Sequence, residues 1–322
     1  MHKCKWGEQL KEFDVVTVGD INPDIIFTGV KRTPGMGKEV FARSVYISIG
    51  GGAANTAIGL ARLGLKVALV STIGKDMFGL NFLKLLEKEG VSKRYIKVQE
   101  KVNTGITVAI TDENDRGFIT YRGANELQRL EDINDELIKQ TRHLHITNYS
   151  PDQKQRFMEI SQIAKKYNVT ISMDVGWDEA EKWDKGIMEA LKKVDIFMPN
   201  EYEARGYSGK DDIYEALYYL SDYARINVIK LNKKGSIACD EKKAIVHAEG
   251  FKVESVDTTG AGDSFNAGFI YGFLNGRSME QCLIIGNACG ALSTTSFGGP
   301  AGFPNEKQLM EFLHRNKKLM GR

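Results

Sequence analysis

The chain has 322 residues, with 44 basic against 42 acidic side chains, 42% hydrophobic and 27% charged residues, which is the mixture of a globular chain with a large core. The near balance of charge gives no electrostatic reason to expect nucleic acid or a membrane surface as partner, and no apolar run approaches the roughly 20 residues of a spanning helix. The opening MHKCKWGEQLKEF lacks the apolar centre of a signal peptide, so a cytoplasmic location is expected; Cys4, Cys239, Cys282 and Cys289 form no C-x-x-C pair and read as reduced thiols.

Along the chain, Asp14–Gly19 is a β-branched strand ended by glycine. Val40–Ile49 alternates loosely, like exposed strands. Gly50-Gly51-Gly52 then opens a helical pattern, Ala53–Leu63, which stops at Gly64. Val67–Ile73 reads as a buried strand and Gly79–Gly90 as a helix with a glycine stop. Thr104–Tyr121 reads as a hairpin turning at Glu113–Arg116. From residue 126 onward, short apolar strands (His143–Thr147, Val169–Val175, Val194–Met198, Val228–Leu231) alternate with amphipathic helices such as Asp152–Tyr167 and Ile213–Tyr223. That order implies an α/β fold with a mostly parallel sheet covered by helices on both faces. The exposed segments near 25–49 and 104–122 do not fit the core and are expected to form a small β-sheet lid inserted into a single domain spanning 1–322.

The most informative stretch is Asp257-Thr-Thr-Gly-Ala-Gly-Asp263-Ser-Phe-Asn-Ala-Gly268. Strand-like Phe251–Val256 runs into a small-residue turn, and a helix is expected from Asp263 to Leu274. The amides of Gly260, Ala261 and Gly262 can converge at that helix start, where free N–H groups and the helix dipole favour an anion. A lone carboxylate at such a place is usually a cap, but a cap needs none of the three small residues before it. No Walker A motif occurs, and no G-x-G-x-x-G follows the first strand, which argues against P-loop enzymes and nicotinamide-dependent dehydrogenases. His143 and His145 share a strand face and Cys282 and Cys289 lie seven apart on a helix; both pairs read as core.

Asp257–Gly268 resembles the C-terminal signature of the ribokinase-like (PfkB) family of carbohydrate and nucleoside kinases. Gly50-Gly-Gly-Ala-Ala-Asn55-Thr-Ala with Gly64, Gly74 and Gly79 resembles its N-terminal signature. The match runs from about Phe13 to about Leu313. The resemblance implies a ribokinase-like three-layer α/β/α core and an ATP-dependent kinase acting on a hydroxymethyl group, with Asp263 as catalytic base and the amides of Gly260, Ala261 and Gly262 as anion hole. It places the sugar against Asn22, Asp24, Gly51 and Asn55. The base of ATP is expected near Lys230, Asn232, Gly235 and Asn287, where Asn232 departs from the glycine many members carry. Asn200 and Glu203 match the N-x-x-E motif, Glu203 ordering the water shell of Mg²⁺; the same pair also reads as a capping box. Asp257 and Thr259 match positions that help hold a monovalent cation such as K⁺, with a turn cap as the equal alternative for Asp257. Gly105 and Arg122 of the hairpin can reach the substrate, although Arg122 reads first as a salt-bridged surface residue. Gly52 and Ala53 replace the lysine-glycine pair of ribokinases in the strict sense. A homodimer through the lid is a further implication. The alternatives are a nucleoside kinase of the same family and a non-catalytic sugar sensor.

Overall fold

In the computed structural model, residues 11–31, 35–111, 116–176, 183 and 186–316 are described. The β-branched and apolar runs become strands β1 (Phe13–Val18), β2 (Asn22–Thr28), β3 (Ser44–Gly50), β4 (Val67–Gly74), β5 (Val91–Gln99), β6 (Ile106–Thr111), β7 (Arg116–Tyr121), β8 (Thr141–Ile146), β9 (Thr170–Met173), β10 (Ile196–Phe197), β11 (Ile226–Lys230), β12 (Ser236–Asp240) and β13 (Ile245–Ala248). Nine of them form one sheet in the order β13-β12-β11-β10-β9-β8-β1-β4-β5, and four form a second in the order β3-β2-β6-β7. The large sheet is parallel from β5 to β11 and turns antiparallel at β12 and β13. The alternating order of strands and helices fits this arrangement, because parallel neighbours need helical crossovers.

Helices α1 (Gly52–Arg62), α2 (Met77–Lys88), α3 (Asp135–Lys139), α4 (Lys154–Lys166), α5 (Ile187–Leu191), α6 (Glu201–Ser208), α7 (Ile213–Leu220), α8 (Ala261–Leu274), α9 (Met279–Ser293) and α10 (Glu306–Arg315) cover both faces. One core packs Val15, Leu69 and Val228 against α1, α2, α8 and α9. The other packs Val16, Val18 and Ile229 against α3, α4, α5 and α7. Cys239, Cys282 and Cys289 are buried free thiols within these cores; Cys4 lies outside the described residues. His143 and His145 are also core residues. Both bond to Ser172 Oγ at 2.7 Å, and burial pushes both imidazoles down to about 3, with the neighbouring positive charges adding to it.

Three expectations need correction. Phe251–Val256 is not a strand: the backbone amides of Val256 and Asp257 bond to Thr294 O, after α9, rather than to a neighbouring strand. Val40–Ile49 yields one strand, β3, and the helix expected from Asp263 starts two residues earlier, at Ala261. Residues 113–115 of the expected hairpin turn lie outside the described residues, but β6 and β7 pair antiparallel as a hairpin requires.

The small sheet is rooted where β4 ends. Asp76 caps α2 through the amide of Gly79 (2.9 Å) and accepts from Thr104, just before β6, through N (2.6 Å) and Oγ1 (2.9 Å). Backbone passes so close there that a Cβ on Gly74 would lie 2.4 Å from Thr104 N and 2.5 Å from Val102 O. Gly74→Ala must push two chain segments apart and is expected to lower stability by about 1–3 kcal/mol, read as a lower urea midpoint with unchanged slope. An unchanged midpoint would show that the root of the small sheet yields freely.

Candidate active site

The site lies at the C-terminal edge of the large sheet, where ligands collect in open α/β folds. It is built from the turn after β1, the start of α1, the ends of β9 and β11, the start of α6 and the start of α8. Gly260 stands in the left-handed region (φ 74°) as the residue before α8. That turn sends the amide of Ala261 back to Thr258 O (3.2 Å), so of the three expected anion-hole amides this one already has an acceptor. The next two, Gly262 and Asp263, sit in the first helical turn, where no intrahelical carbonyl is available.

Asp263 leaves that turn toward α1. Asn55 Nδ2 donates to its Oδ2 at 2.8 Å, so Asn55, expected among the sugar contacts, reaches the expected base directly. Gly52 lines the same space: a Cβ there would lie 3.5 Å from Asp263 Oδ1. Enclosure pushes the carboxyl of Asp263 up to about 7, with Asp174 and Asp24 adding to the rise and Asn55 and Lys230 opposing it.

On the facing side, Asn22 is buried, and its Nδ2 bonds to Asp24 Oδ1 (3.0 Å) and Thr107 Oγ1 (3.3 Å). Thr107 belongs to β6, so the first strand of the small sheet and its hairpin meet here. A Cβ on Gly50 would fall 2.3 Å from the Asp24 carboxyl. Gly51 has φ 92°, and a Cβ would stand 2.4 Å from Asp20 O; its close approach is to the chain's own turn. Asp20 accepts from Asn148, and burial raises its carboxyl to about 6 against the opposing charge of Arg122. Gly105 packs against Arg122 O.

Asn200 and Glu203 form both halves of a capping box: Glu203 N donates to Asn200 Oδ1 (2.9 Å) and Asn200 N to Glu203 Oε2 (2.8 Å). The Glu203 carboxyl is nevertheless pushed up to about 7 by burial and then by Asp174, which places it beside the other acids of the site. Asp257 closes the loop before α8: its Oδ1 accepts from Thr259 N (3.0 Å) and Oγ1 (2.8 Å) and its Oδ2 from Gly298 N (2.9 Å).

The positions expected around the base of ATP separate. Asn232 holds φ 54°, a conformation that glycine or asparagine adopts most readily, so asparagine here suits a turn that glycine would also allow. Gly235 packs against Ala248 O and Gly250. Asn287 joins α9 to the end of β13 through Ala248 O (3.0 Å) and Glu249 O (3.2 Å). Lys230 differs: its ammonium bonds to Asp174 Oδ2 (2.9 Å) and Asn266 Oδ1 (3.3 Å) and belongs with α8, not with the Asn232 turn.

Asp174 and Asn266 join the site beyond the residues the motifs single out. A signal existed for each. Asp174 is an acid at the end of an apolar strand, and Asn266 lies three residues after Asp263, hence on the same helix face.

The chain is thus an α/β protein with a nine-stranded sheet, a small second sheet, and two glycine-rich helix starts that meet through Asn55 and Asp263. The family model for the pfkB family of carbohydrate kinases matches residues 12–306. The chain is 32% identical over 301 residues to the ATP-dependent ribose-1-phosphate kinase of Halopiger xanaduensis, covering 93% of this chain and 97% of that one. It is 27% identical over 310 residues to the ribokinase of Bacillus subtilis, covering 93% and 99%. Among solved structures, Arabidopsis thaliana ribokinase complexed with ribose and ATP superposes with a TM-score of 0.81 at 25% identity, covering 94% of this chain and 98% of that one. The chain belongs to the pfkB family of carbohydrate kinases and is a sugar kinase.

Proposed function

We propose that this enzyme transfers the γ-phosphoryl group of ATP to a hydroxyl of a small sugar, with Asp263 as the base. The observation that carries this reading is the position of Asp263. It projects from the first turn of α8, beside amides that lack an intrahelical acceptor, and meets Asn55 at 2.8 Å across the cleft. Phosphoryl transfer asks chiefly for alignment and for donors aimed at the oxygens that gain charge. Asp263 would orient the sugar hydroxyl and take its proton as the oxygen attacks phosphorus, while the Gly260–Gly262 turn would meet the transferred group. Asn55 holds the carboxylate on the side that faces Asn22 and Asp24, whose polar atoms suit paired sugar hydroxyls.

Glu203, with Asp174 nearby, fits the water shell of Mg²⁺, an ion that favours oxygen donors and keeps several waters; when bound, the ion would neutralise charge on the ATP phosphates. Asp257 and Thr259 fit a role around K⁺ less directly, because the Asp257 carboxylate closes the loop, and only carbonyl oxygens of that loop would face the ion. The turn 232–235 with Asn287 is assigned to the nucleotide base. The small sheet is assigned as the lid that shuts water out. Its face opposite Asp24 carries Val45, Ile47 and Ile119, all more than half exposed, and a second copy of the chain is the occupant we assign to it. Mass measurement in solution should give twice the chain mass, and Ile47→Lys should return it to one; a wild-type monomer at micromolar concentration would remove the dimer.

The function is tested by ADP formation over a panel of ribose, fructose, ribose 1-phosphate and adenosine. Turnover with a sugar or sugar phosphate and not with adenosine is expected. Adenosine as the preferred acceptor would overturn the acceptor class, and no turnover with any acceptor despite sugar binding would favour a sensor.

A further inference from the structure

In the scheme above Asp174 enters only as a neighbour of Glu203, and its ion pair with Lys230 is given no role. Lys230 stands at the end of β11, where its backbone bridges to Asn200. Its ammonium is 2.9 Å from Asp174 Oδ2 and 3.3 Å from Asn266 Oδ1, and Asn266 Nδ2 donates to the same Asp174 oxygen. The three side chains close a ring joining β9, β11 and α8. Lys230 and Asp174 are only 13% and 12% exposed at their side chains. A Cβ placed on Gly262 would lie 3.7 Å from Lys230 Nζ, so the ammonium lies directly beneath the first turn of α8. Asn266 follows Asp263 by three residues, so the ring grips the same turn of helix that carries Asp263.

Stability does not account for this arrangement. A pair this enclosed can generally be replaced by apolar residues without loss. The charged groups that face the ammonium are Asp174 after β9, Glu203 on α6 and Asp263 on α8, with His145 of β8 neutral beside it. Burial alone would lower the lysine, yet those three acids hold it above the ordinary range, so it stays charged throughout the working pH.

We propose that Lys230 is a positioning residue for phosphoryl transfer: held by Asp174 and Asn266, it fixes the turn bearing Asp263 and sets a permanent positive charge behind the Gly262 amide. The proposal rests on the reading of Asp263 given above. Charge develops on the transferred phosphoryl in the transition state, and a fixed cation in a water-poor site acts on it without reorganising. The effect therefore falls on kcat and leaves binding of sugar and nucleotide largely unchanged.

Lys230→Met alone would strand Asp174, so the test is the charge-balanced double variant Lys230→Met/Asp174→Asn, with Lys230→Gln as a second route that keeps hydrogen bonding but not charge. The control is an active wild type with an inert Asp263→Asn variant; without it the reading of Asp263 falls first, and this proposal with it. With the control in place, both variants should keep KM values within about threefold while kcat drops about a hundredfold. The double variant should keep the wild-type Tm and Lys230→Gln should have a lower one, because its Asp174 loses a cation. In Lys230→Gln, which keeps Asp174, the acid limb of kcat/KM should also move to higher pH, because Asp263 then faces Asp174 and Asp24 with no cation opposite. Wild-type kcat in either folded variant would overturn the proposal, leaving Lys230 as a neutraliser of Asp174 alone.

Discussion

Asp263→Asn should lower kcat about a thousandfold, within the range a positioned general base contributes, while ATP still binds. Asparagine keeps the size of the side chain and its reach to Asn55, so the first turn of α8 is preserved and only proton acceptance is lost. The wild-type pH profile should report the same group. Enclosure holds the Asp263 carboxyl at about 7, and a base works only when deprotonated. The rate should therefore fall roughly tenfold per pH unit below that value and level off above it. The stability linkage has the opposite sense. An aspartate with an ordinary value of 3.8 when unfolded and about 7 when folded binds its proton more tightly in the folded chain. The free enzyme should therefore gain stability as pH falls from about 7 toward about 4, and Asp263→Asn should flatten that slope and be more stable than wild type in mild alkali. Turnover within tenfold of wild type would remove Asp263 as the base. A profile with no acid limb near 7 would leave it only an orienting role.

Glu203→Gln separates two roles that one side chain can fill. Glutamine at the third helical position keeps a capping box, so α6 should form as before and Tm should hold or rise, because a buried acid raised to about 7 has been removed. If Glu203 orders water around Mg²⁺, the variant should need about 10–100-fold more Mg²⁺ or lose a comparable factor in kcat, the usual effect of an outer-shell change. Glu203→Ala should show the same catalytic loss plus about 1 kcal/mol of stability from the broken box. A Gln variant with wild-type activity and Mg²⁺ dependence would reduce Glu203 to a cap.

The parts of the site that could be read from the chain are those whose chemistry is local. Gly260 to Asp263 form one turn, Gly50 to Asn55 another, and Asn200 with Glu203 a third; each declares itself within a few residues. Asp174, Asn266 and Asn148 are different, because each acquires its meaning from a partner 92, 92 and 128 positions away. The same division holds for the fold. Strands buried on both faces, such as Val67–Gly74, are continuous apolar runs and were legible. β5, reading VSKRYIKVQ, forms an edge with charged residues facing solvent, and at the far edge the short β13, IVHA, alternates in a way that resembles any exposed loop. Phe251–Val256 has strand-like composition but no neighbouring edge to join, which composition cannot reveal.

The contact between α8 and α9 bears on which part of the machine can move. Gly268 and Gly272 press against Cys289 and Cys282 so closely that a Cβ on Gly268 would lie 2.8 Å from Cys289 Sγ, and Gly286 admits the ring of Phe265 in the same way. Two helices meshed without clearance behave as one stiff block, and Asp263 is bolted to its end. The block then acts as an anvil: on the lid role proposed for the small sheet, closure over a bound sugar would come from β2, β3, β6 and β7 swinging on the strap of Asp76 and Thr104. Amide hydrogens of α8 beyond its first turn should exchange as slowly with ligand as without, whereas those of the small sheet should slow markedly when sugar and nucleotide are both present.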